Sequence, residues 1–232
     1  MATKVLAGCA SDSEGRGLDP AFFRNMAISE RLWHLLELAF LGESELTVSF
    51  NCMRPDCRQP LEVTLGIAEL EGLQSAADQD ACTLKIEGEE LQLRRPTGRD
   101  QMNWLAGEFP DEQAALQRML QDLIVKRSGS SREAQSPFAE EWVQTLDRAM
   151  AEFDPLIHFR LVARCPSCEQ DNPHEIDLEG VALARLREVQ RRLLEMVHRL
   201  AAHYHWREAE ILQLPVWRRR HYLNLIEKER GS

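Results

Sequence analysis

Between Asp19 and Leu41 the apolar residues Leu32, Leu35, Leu36, Ala39 and Phe40 recur at steps of three and four. That spacing predicts a helix with Ser29 as its N-cap and an end near Gly42. ELTVSFNC then alternates in strand fashion, and LEVTL does so again beyond Cys52 and Cys57. Together they predict a hairpin with both cysteines at its tip. TLKIEGEELQLRRP predicts another hairpin, turning at Glu87-Gly88-Glu89 and closed by Pro96. A short helix carrying Met102, Trp104 and Leu105 should start at Thr97 to Asp100, where Thr97 or Asp100 satisfies the first N–H groups. Asp111 to Lys126 predicts the next helix.

Lys126 to Pro137 (KRSGSSREAQSP) is polar, holds Gly and Ser and ends in proline, so the chain is expected to divide there. Beyond it, Phe138 to Phe153 reads as a helix, LIHFRLVARC as a strand and HEIDL as a second strand behind the Cys165 to Cys168 loop. Helix, strand, cysteine turn and strand thus occur twice. Phe40 precedes Cys52 by 12 positions and Phe153 precedes Cys165 by the same 12, and GIAELEGL or EGVALARL follows each unit. We read this as an internal duplication. From Glu179 onward the pattern is helical, with Val181, Leu186, Val189, Leu193, Val197, Leu200 and Tyr204 on one face of a helix of about seven turns. A break near Trp206-Arg207 leads to EAEILQL, and Pro215 then opens a terminal helix, VWRRRHYLNLIEKER.

The expected organisation is therefore a flexible arm over 1–18, a helix with the first cysteine hairpin and the second hairpin over 19–126, and a linker over 127–137. A helix with the second cysteine hairpin follows over 138–180, then a helical region over 181–232. The fold class is α+β: a small antiparallel sheet built from two cysteine-bearing hairpins, duplicated and zinc-ribbon-like, with a helical C-terminal third.

The chain has 232 residues, 44% of them apolar and 28% charged, close to the averages of chains that fold around a core. Its apolar runs are short and no stretch near the start has signal length, so neither export nor membrane spanning is expected. With 28 Lys and Arg against 38 Asp and Glu, the formal charge of −10 disfavours whole-chain binding to nucleic acid.

Six cysteines in a chain expected in the cytosol point to thiols or metal ligands, because reducing conditions open disulfides. Cys52-Met-Arg-Pro-Asp-Cys57 and Cys165-Pro-Ser-Cys168 each set two thiolates on a tight turn between strands. Cys52, Cys57, Cys165 and Cys168 could complete a tetrahedron around a structural zinc ion. Such binding contributes on the order of 10 kcal/mol to a folded state. Two alternatives stay open: a redox pair in Cys-Pro-Ser-Cys, although a strand and not a helix follows it, and thiols that serve only as apolar filling. Cys9 and Cys82 have no close partner in the pattern and are left out of the ligand set.

No Gly-x-Ser-x-Gly, His-Glu-x-x-His or phosphate-cradling glycine loop occurs, so no catalytic residue is assigned and no small-molecule substrate is expected. His203 and His205, two apart on a helix, point in different directions and cannot share a metal. Trp217-Arg218-Arg219-Arg220-His221 is a basic, aromatic cluster that could touch DNA, or could present a partner-binding surface together with Tyr222 and Trp206.

The paired-cysteine hairpin, LRRPTGRDQMNWL, the CPSC hairpin with HEIDL, and the ending VHRLAAHYHWREAEILQLPVWRRRHYLNLI together resemble the baseplate hub assembly chaperone family of contractile-tailed bacteriophages and phage-like injection particles. The likeness covers most of the chain beyond its first residues, and the ending is its most specific part. It implies a non-enzymatic factor that helps to build a baseplate through contacts with hub or spike proteins. Such a factor acts in the bacterial cytoplasm during assembly or stays in the finished baseplate. Ligand assignment rests on spacing, since members of that family do not all keep the cysteines. The alternative reading is a zinc-ribbon nucleic-acid-binding regulator using Arg218, Arg219 and Arg220.

Overall fold

The computed structural model describes residues 1–76, 81–128, 138 and 140–231. The described residues form α helices and small antiparallel sheets, and the chain divides into two compact units, Met1–Ala182 and Leu183–Ser232.

The first eighteen residues, expected to be a loose arm, begin with a helix, α1 (Ala2–Cys9), whose Ala2 and Leu6 are buried against α2 (Pro20–Asn25) and α3 (Ile28–Ala39). Ala2 and Leu6 sit four apart, enough for one buried stripe on two turns, but too short a run to register as periodicity. Asp19 caps α2 by accepting from the Ala21 N–H, and Pro20 occupies the first turn.

The helix expected behind a Ser29 cap begins slightly earlier, at Ile28, and a separate short helix, α2, precedes it across Met26 and Ala27. There the backbone is extended and pairs with the segment after β4: Ile28 N–H donates to the Pro96 carbonyl (2.9 Å) and Gly98 N–H to that of Met26 (3.1 Å). Ser29 is consequently no cap; it lies buried inside α3, and Ala27 stands at the N-cap. Helix α3 ends as expected, with Gly42 at φ +80° in the turn beyond it.

β1 (Glu45–Asn51) and β2 (Pro60–Gly66) form the first cysteine hairpin, followed at once by α4 (Ile67–Ala76). β3 (Ala81–Ile86) and β4 (Glu89–Arg94) turn at Glu87 and Gly88, both with positive φ (50° and 85°), the backbone of a two-residue type I′ hairpin. α5 (Gly98–Ala106) begins with a capping box: Thr97 Oγ1 accepts from the Asp100 N–H, and the Asp100 carboxylate accepts from the Thr97 N–H. α6 (Glu112–Leu123) is shorter than its pattern suggested, because Ile124–Ser128 leaves the helix as β5 and adds a third strand beside β4.

The linker expected over 127–137 falls mostly outside the described residues, but the chain does not divide there. Phe138 and α7 (Glu140–Phe153) contribute Trp142, Leu146 and Met150 to one core with Leu91, Leu93, Leu120 and Leu123. The Gln117 side chain clamps Phe138 by donating to its carbonyl (2.6 Å) and accepting from its N–H (2.7 Å). β6 (Arg160–Arg164) and β7 (Asp171–Glu175) then form the second cysteine hairpin. It is a two-stranded sheet of its own, so the two cysteine hairpins do not share one sheet.

α8 (Leu178–Tyr204) has its first residues, up to Ala182, in the first unit, and the rest belongs to the second. In that second unit α9 (Glu208–Gln213) and α10 (Val216–Gly231) bury Ile211 and Ile226 with Val197 and Leu200. Only the end of the apolar face read along α8 is covered, since Val189 and Leu193 are exposed. His205, at φ 56°, stops α8 in the left-handed conformation more usual for glycine. Among the described residues no helix is long and apolar enough to cross a membrane.

The LRRPTGRDQ segment is a joint between four elements. Arg94 donates two hydrogen bonds to the Asp100 carboxylate (2.6 and 2.9 Å) and one to the Asp122 carbonyl (3.0 Å). Burial alone would push Asp100 up, but Arg94 and the Thr97 donors outweigh it and hold the carboxyl at about 2. Arg31, buried, donates to Thr3 Oγ1 and Gln101 Oε1 (2.8 Å each) and packs against Gly98.

Two predictions follow from this joint. In Gly98→Ala the new methyl group would lie 2.6 Å from Arg31 Nη1 and 3.2 Å from the Arg24 Cα, so overpacking should lower stability by about 1–3 kcal/mol in denaturant unfolding. The folded carboxyl of Asp100 lies below its unfolded value of about 3.9, so its stabilising contribution is complete above that pH and is lost as pH falls towards 2. Asp100→Asn should flatten the acid limb of stability over that window, as measured by melting temperature against pH.

Candidate metal centre

Each cysteine hairpin ends in a knuckle built by the same backbone bonds. In the first, the Cys52 N–H donates to the Gln59 carbonyl (2.8 Å) and closes the strands, and Cys57 and Arg58 both donate back to the Arg54 carbonyl (3.0 and 3.1 Å). In the second, Cys165 N–H donates to the Gln170 carbonyl (2.9 Å) and Glu169 N–H to that of Cys165 (2.9 Å). Pro55 and Pro166, each two before the second cysteine, preset φ for the turn. The residue after the second cysteine turns left-handed in both, Arg58 at φ 45° and Glu169 at φ 59°.

These knuckles bring all four sulfurs within 4.8 Å of one another. The short approaches run between hairpins: Cys52 Sγ to Cys168 Sγ is 3.6 Å and Cys57 Sγ to Cys165 Sγ is 3.8 Å, across 116 and 108 positions of sequence. None is a disulfide, which needs about 2.05 Å. A tetrahedral ion with metal–sulfur bonds of about 2.3 Å sets its ligands about 3.8 Å apart, the length of the two approaches between hairpins. A soft, four-sulfur set of this shape suits zinc or iron.

Cys52 and Cys165 are buried and Cys57 and Cys168 half-buried, with Phe50 and Leu61 packed around them. Their protons are unequally held. The Gln59 N–H pulls the Cys57 thiol down, but burial and three neighbouring sulfurs outweigh it and push it up to about 11. Cys52 is likewise raised, burial and its neighbours overcoming the Arg54 N–H. Burial also works against the Cys165 thiolate, yet the Cys168 and Ser167 N–H groups and the adjoining thiols bring it down to about 7. β7 and not a helix follows the Cys-Pro-Ser-Cys turn, so the helix dipole that activates redox pairs is missing.

Asn172 had no signal in the sequence: it precedes the HEIDL stretch expected as the second strand, whereas the strand, β7, covers Asp171–Glu175. Asn172 is wholly buried and spans both hairpins: Oδ1 accepts from the Met53 N–H (2.7 Å), and Nδ2 donates to the Gln170 and Ala163 carbonyls (2.7 and 3.2 Å). His174 stacks at a tilt on Phe50, ring centroids 4.0 Å apart, and adds a second bridge between β7 and β1.

The other cysteines lie outside the cluster. Cys9 is exposed, and Cys82 is half-buried, its thiol pushed up by burial and by Glu152.

The residues expected to bind a partner separate into two groups in the second unit. Trp206 stacks on Tyr204 (4.7 Å, 20° between planes) and meets the edge of Tyr222 (4.9 Å), so Trp206 and Tyr222 serve the interior. Trp217 is 70% exposed, and Arg218 and Arg220 are exposed beside it, whereas Arg219 is half-buried. Arg218 lies over the Tyr222 ring at 5.8 Å. His203 pairs with Glu229 (3.2 Å) and not with His205.

Comparison of the chain with protein-family models, with curated proteins and with solved structures gives no match.

Asn172→Ala would remove three hydrogen bonds made by a fully buried side chain, among them the acceptor of the Met53 N–H. Its expected cost is about 1–3 kcal/mol in denaturant unfolding, against less than about 0.5 kcal/mol for the exposed Glu62→Ala on the first hairpin. Equal effects would show that the Asn172 bridge contributes nothing.

Proposed function

We propose that the four cysteines hold one structural zinc ion, and that the protein is a non-enzymatic assembly factor or minor component of a contractile-tail baseplate, acting through protein contacts. The sulfur geometry carries the metal reading: approaches of 3.6 and 3.8 Å between hairpins, at the edge length of a tetrathiolate cage. When bound, zinc supplies a cross-link between thiolates. Cys52, Cys57, Cys165 and Cys168 fill its four positions and leave none for water or substrate, so the site serves the fold and not a reaction. The units α3-β1-β2-α4 and α7-β6-β7-α8 are the two arms of a zinc-ribbon-like duplication, each with a helix before and after its hairpin.

The assembly reading rests on the resemblance described above and on the exposed patch of the second unit. Trp217, with Val216 and Leu212 also exposed and Arg218 and Arg220 close by in sequence, suits a hub or spike protein that offers an apolar pocket with an acidic rim. Residues 183–232 hold 11 Lys and Arg against 6 Asp and Glu. That local excess is the one observation that favours the nucleic-acid-binding regulator.

Elemental analysis of protein purified without chelator should find about one zinc per chain. Four of the six thiols should resist thiol reagents until a chelator is added, and Cys52→Ser with Cys165→Ser should abolish both features. Folded protein with iron, or with no metal and six reactive thiols, would contradict the zinc site. For the wider role, hub or spike proteins should co-purify with the wild type, and Trp217→Ala should weaken that capture about tenfold. Tight duplex DNA binding that falls steeply with salt would favour the regulator instead.

A further inference from the structure

We propose that Ser29, Arg95 and Asp154 enclose a binding site for one internal water molecule, which bridges an ion pair set too wide to bond directly. The site lies in the first unit, where the start of α3, the segment joining β4 to α5 and the end of α7 meet, and it owes nothing to the metal centre or to Trp217.

Three observations define it. Asp154 is 2% exposed and Ser29 is wholly buried. Both Asp154 carboxylate oxygens, the Ser29 hydroxyl, and Nε and Nη2 of Arg95 are buried and have no hydrogen-bond partner among the described residues. The approach of Arg95 Nε to Asp154 Oδ2 is 3.9 Å, whereas a hydrogen bond closes at about 2.7–3.2 Å. Both groups are held at that separation by other contacts. The Arg95 guanidinium lies over the Phe153 ring, 4.7 Å from its centroid. The backbone of Asp154 is fixed on both sides, its N–H donating to the Met150 carbonyl (2.9 Å) and its carbonyl accepting from the Ile157 N–H (3.2 Å).

Buried charges and hydroxyls left without bonds are costly, and folded proteins satisfy nearly all of them with protein or with water. The chemistry of the set selects the occupant. Arg95 and Ser29 offer donors, Asp154 offers two acceptor oxygens, and the two formal charges cancel. An anion would face the Asp154 carboxylate and a cation the Arg95 guanidinium, and either would bury a net charge. Water carries none, and it accepts from Arg95 or Ser29 while donating to Asp154. Two bonds of about 2.8 Å that meet at one water near a right angle span about 4 Å, which matches the gap. An internal water makes about three bonds, and these groups supply them. Burial pushes the Asp154 carboxyl up against the pull of Ser29, Arg95 and His158, and a water donating to the carboxylate joins that pull. The water thereby ties α3, α7 and the β4–α5 segment at one buried point.

The test uses the full chain. A crystal structure at about 1.8 Å or better should show one water within about 3.2 Å of an Asp154 carboxylate oxygen and of Arg95 Nε or Ser29 Oγ. In solution, magnetic relaxation dispersion of the water oxygen should count one long-lived internal water that is lost from the double variant Arg95→Met, Asp154→Leu. Ser29→Ala, which deletes a single hydroxyl, should shorten the residence time of that water about tenfold, the loss of one hydrogen bond. Should the double variant not fold, the wild-type electron density decides alone. Arg95 bonded directly to Asp154 at about 2.8 Å, a dry gap, or a cation ringed by oxygens at about 2.4 Å would overturn the proposal. So would an unchanged count of long-lived waters in the folded double variant, or an unchanged residence time in Ser29→Ala with no water between Arg95 and Asp154.

Discussion

The convergence of four sulfurs is the contact on which the placement of both cysteine hairpins depends, because neither hairpin can hold itself. An isolated two-stranded ribbon is marginal in water. β1–β2 at least buries Leu46 and Val48 along its length and Leu61 near its tip. β6–β7 has almost nothing to bury: Val162 is 67% exposed, and Asn172 is the one fully buried residue in its strands, with Cys165 just beyond β6. What fixes the second hairpin is therefore concentrated at its tip. Joining the tips closes a loop of more than a hundred residues, a chain-entropy cost of about 4 kcal/mol on a logarithmic estimate. Side-chain packing among thiols is weak against that cost, whereas a metal–thiolate cage is not.

A second constraint lies in the polar segment between β4 and α5. Its charged and hydroxyl groups were expected to end a strand and cap a helix, and the structure gives them a wider mechanical use. Arg94 ties β4 to the start of α5 and the end of α6, Thr97 and Asp100 cap α5, and the backbone of Pro96 and Gly98 pairs with the extended step between α2 and α3. Gly98 is needed because Arg31 and the Arg24 backbone occupy the space a side chain would take. The cost of burying Arg31 is offset by two neutral acceptors and the more distant charge of Glu179, not by an ion pair at contact.

Much of this was legible in the residue pattern. The alternation around the cysteines, the Glu87-Gly88 turn and the Thr97 cap are local signals, and local signals specify hairpins and caps directly. The cluster of four sulfurs was legible too, since two cysteine pairs on turns have few ways to satisfy one another. What escaped was set by distant parts of the chain. The extended step at Ala27 comes from pairing with Thr97, 70 positions away, and the strand at Ile124–Ser128 from an open edge of β4. The boundary placed at the Ser-Gly-rich stretch failed because composition reports local solvation and not whether the flanking segments share a core. Trp206 and Tyr222 look like binding anchors in a basic, aromatic run, and the structure packs both, half-buried, with Tyr204 in a small helical unit.

The register of the two hairpins also explains why Asn172 is polar. With Cys52 opposite Gln59 and Cys165 opposite Gln170, position 61 of the first hairpin corresponds to 172 of the second; Leu61 packs with the cysteines, and Asn172 bonds to the N–H of Met53, next to Cys52. Leu61 fills its place with apolar bulk, as a site shielded from water requires. The first knuckle, however, is two residues longer, spanning 53–58 against 166–169, and the extension leaves a backbone N–H at Met53 facing the other hairpin. A leucine at 172 would take away that donor's acceptor. An asparagine accepts from it while donating to the Gln170 and Ala163 carbonyls, so every strong hydrogen-bonding direction of the amide but one is used. The asymmetry between the two hairpins is thus carried by one side chain, and that side chain sets how their tips meet.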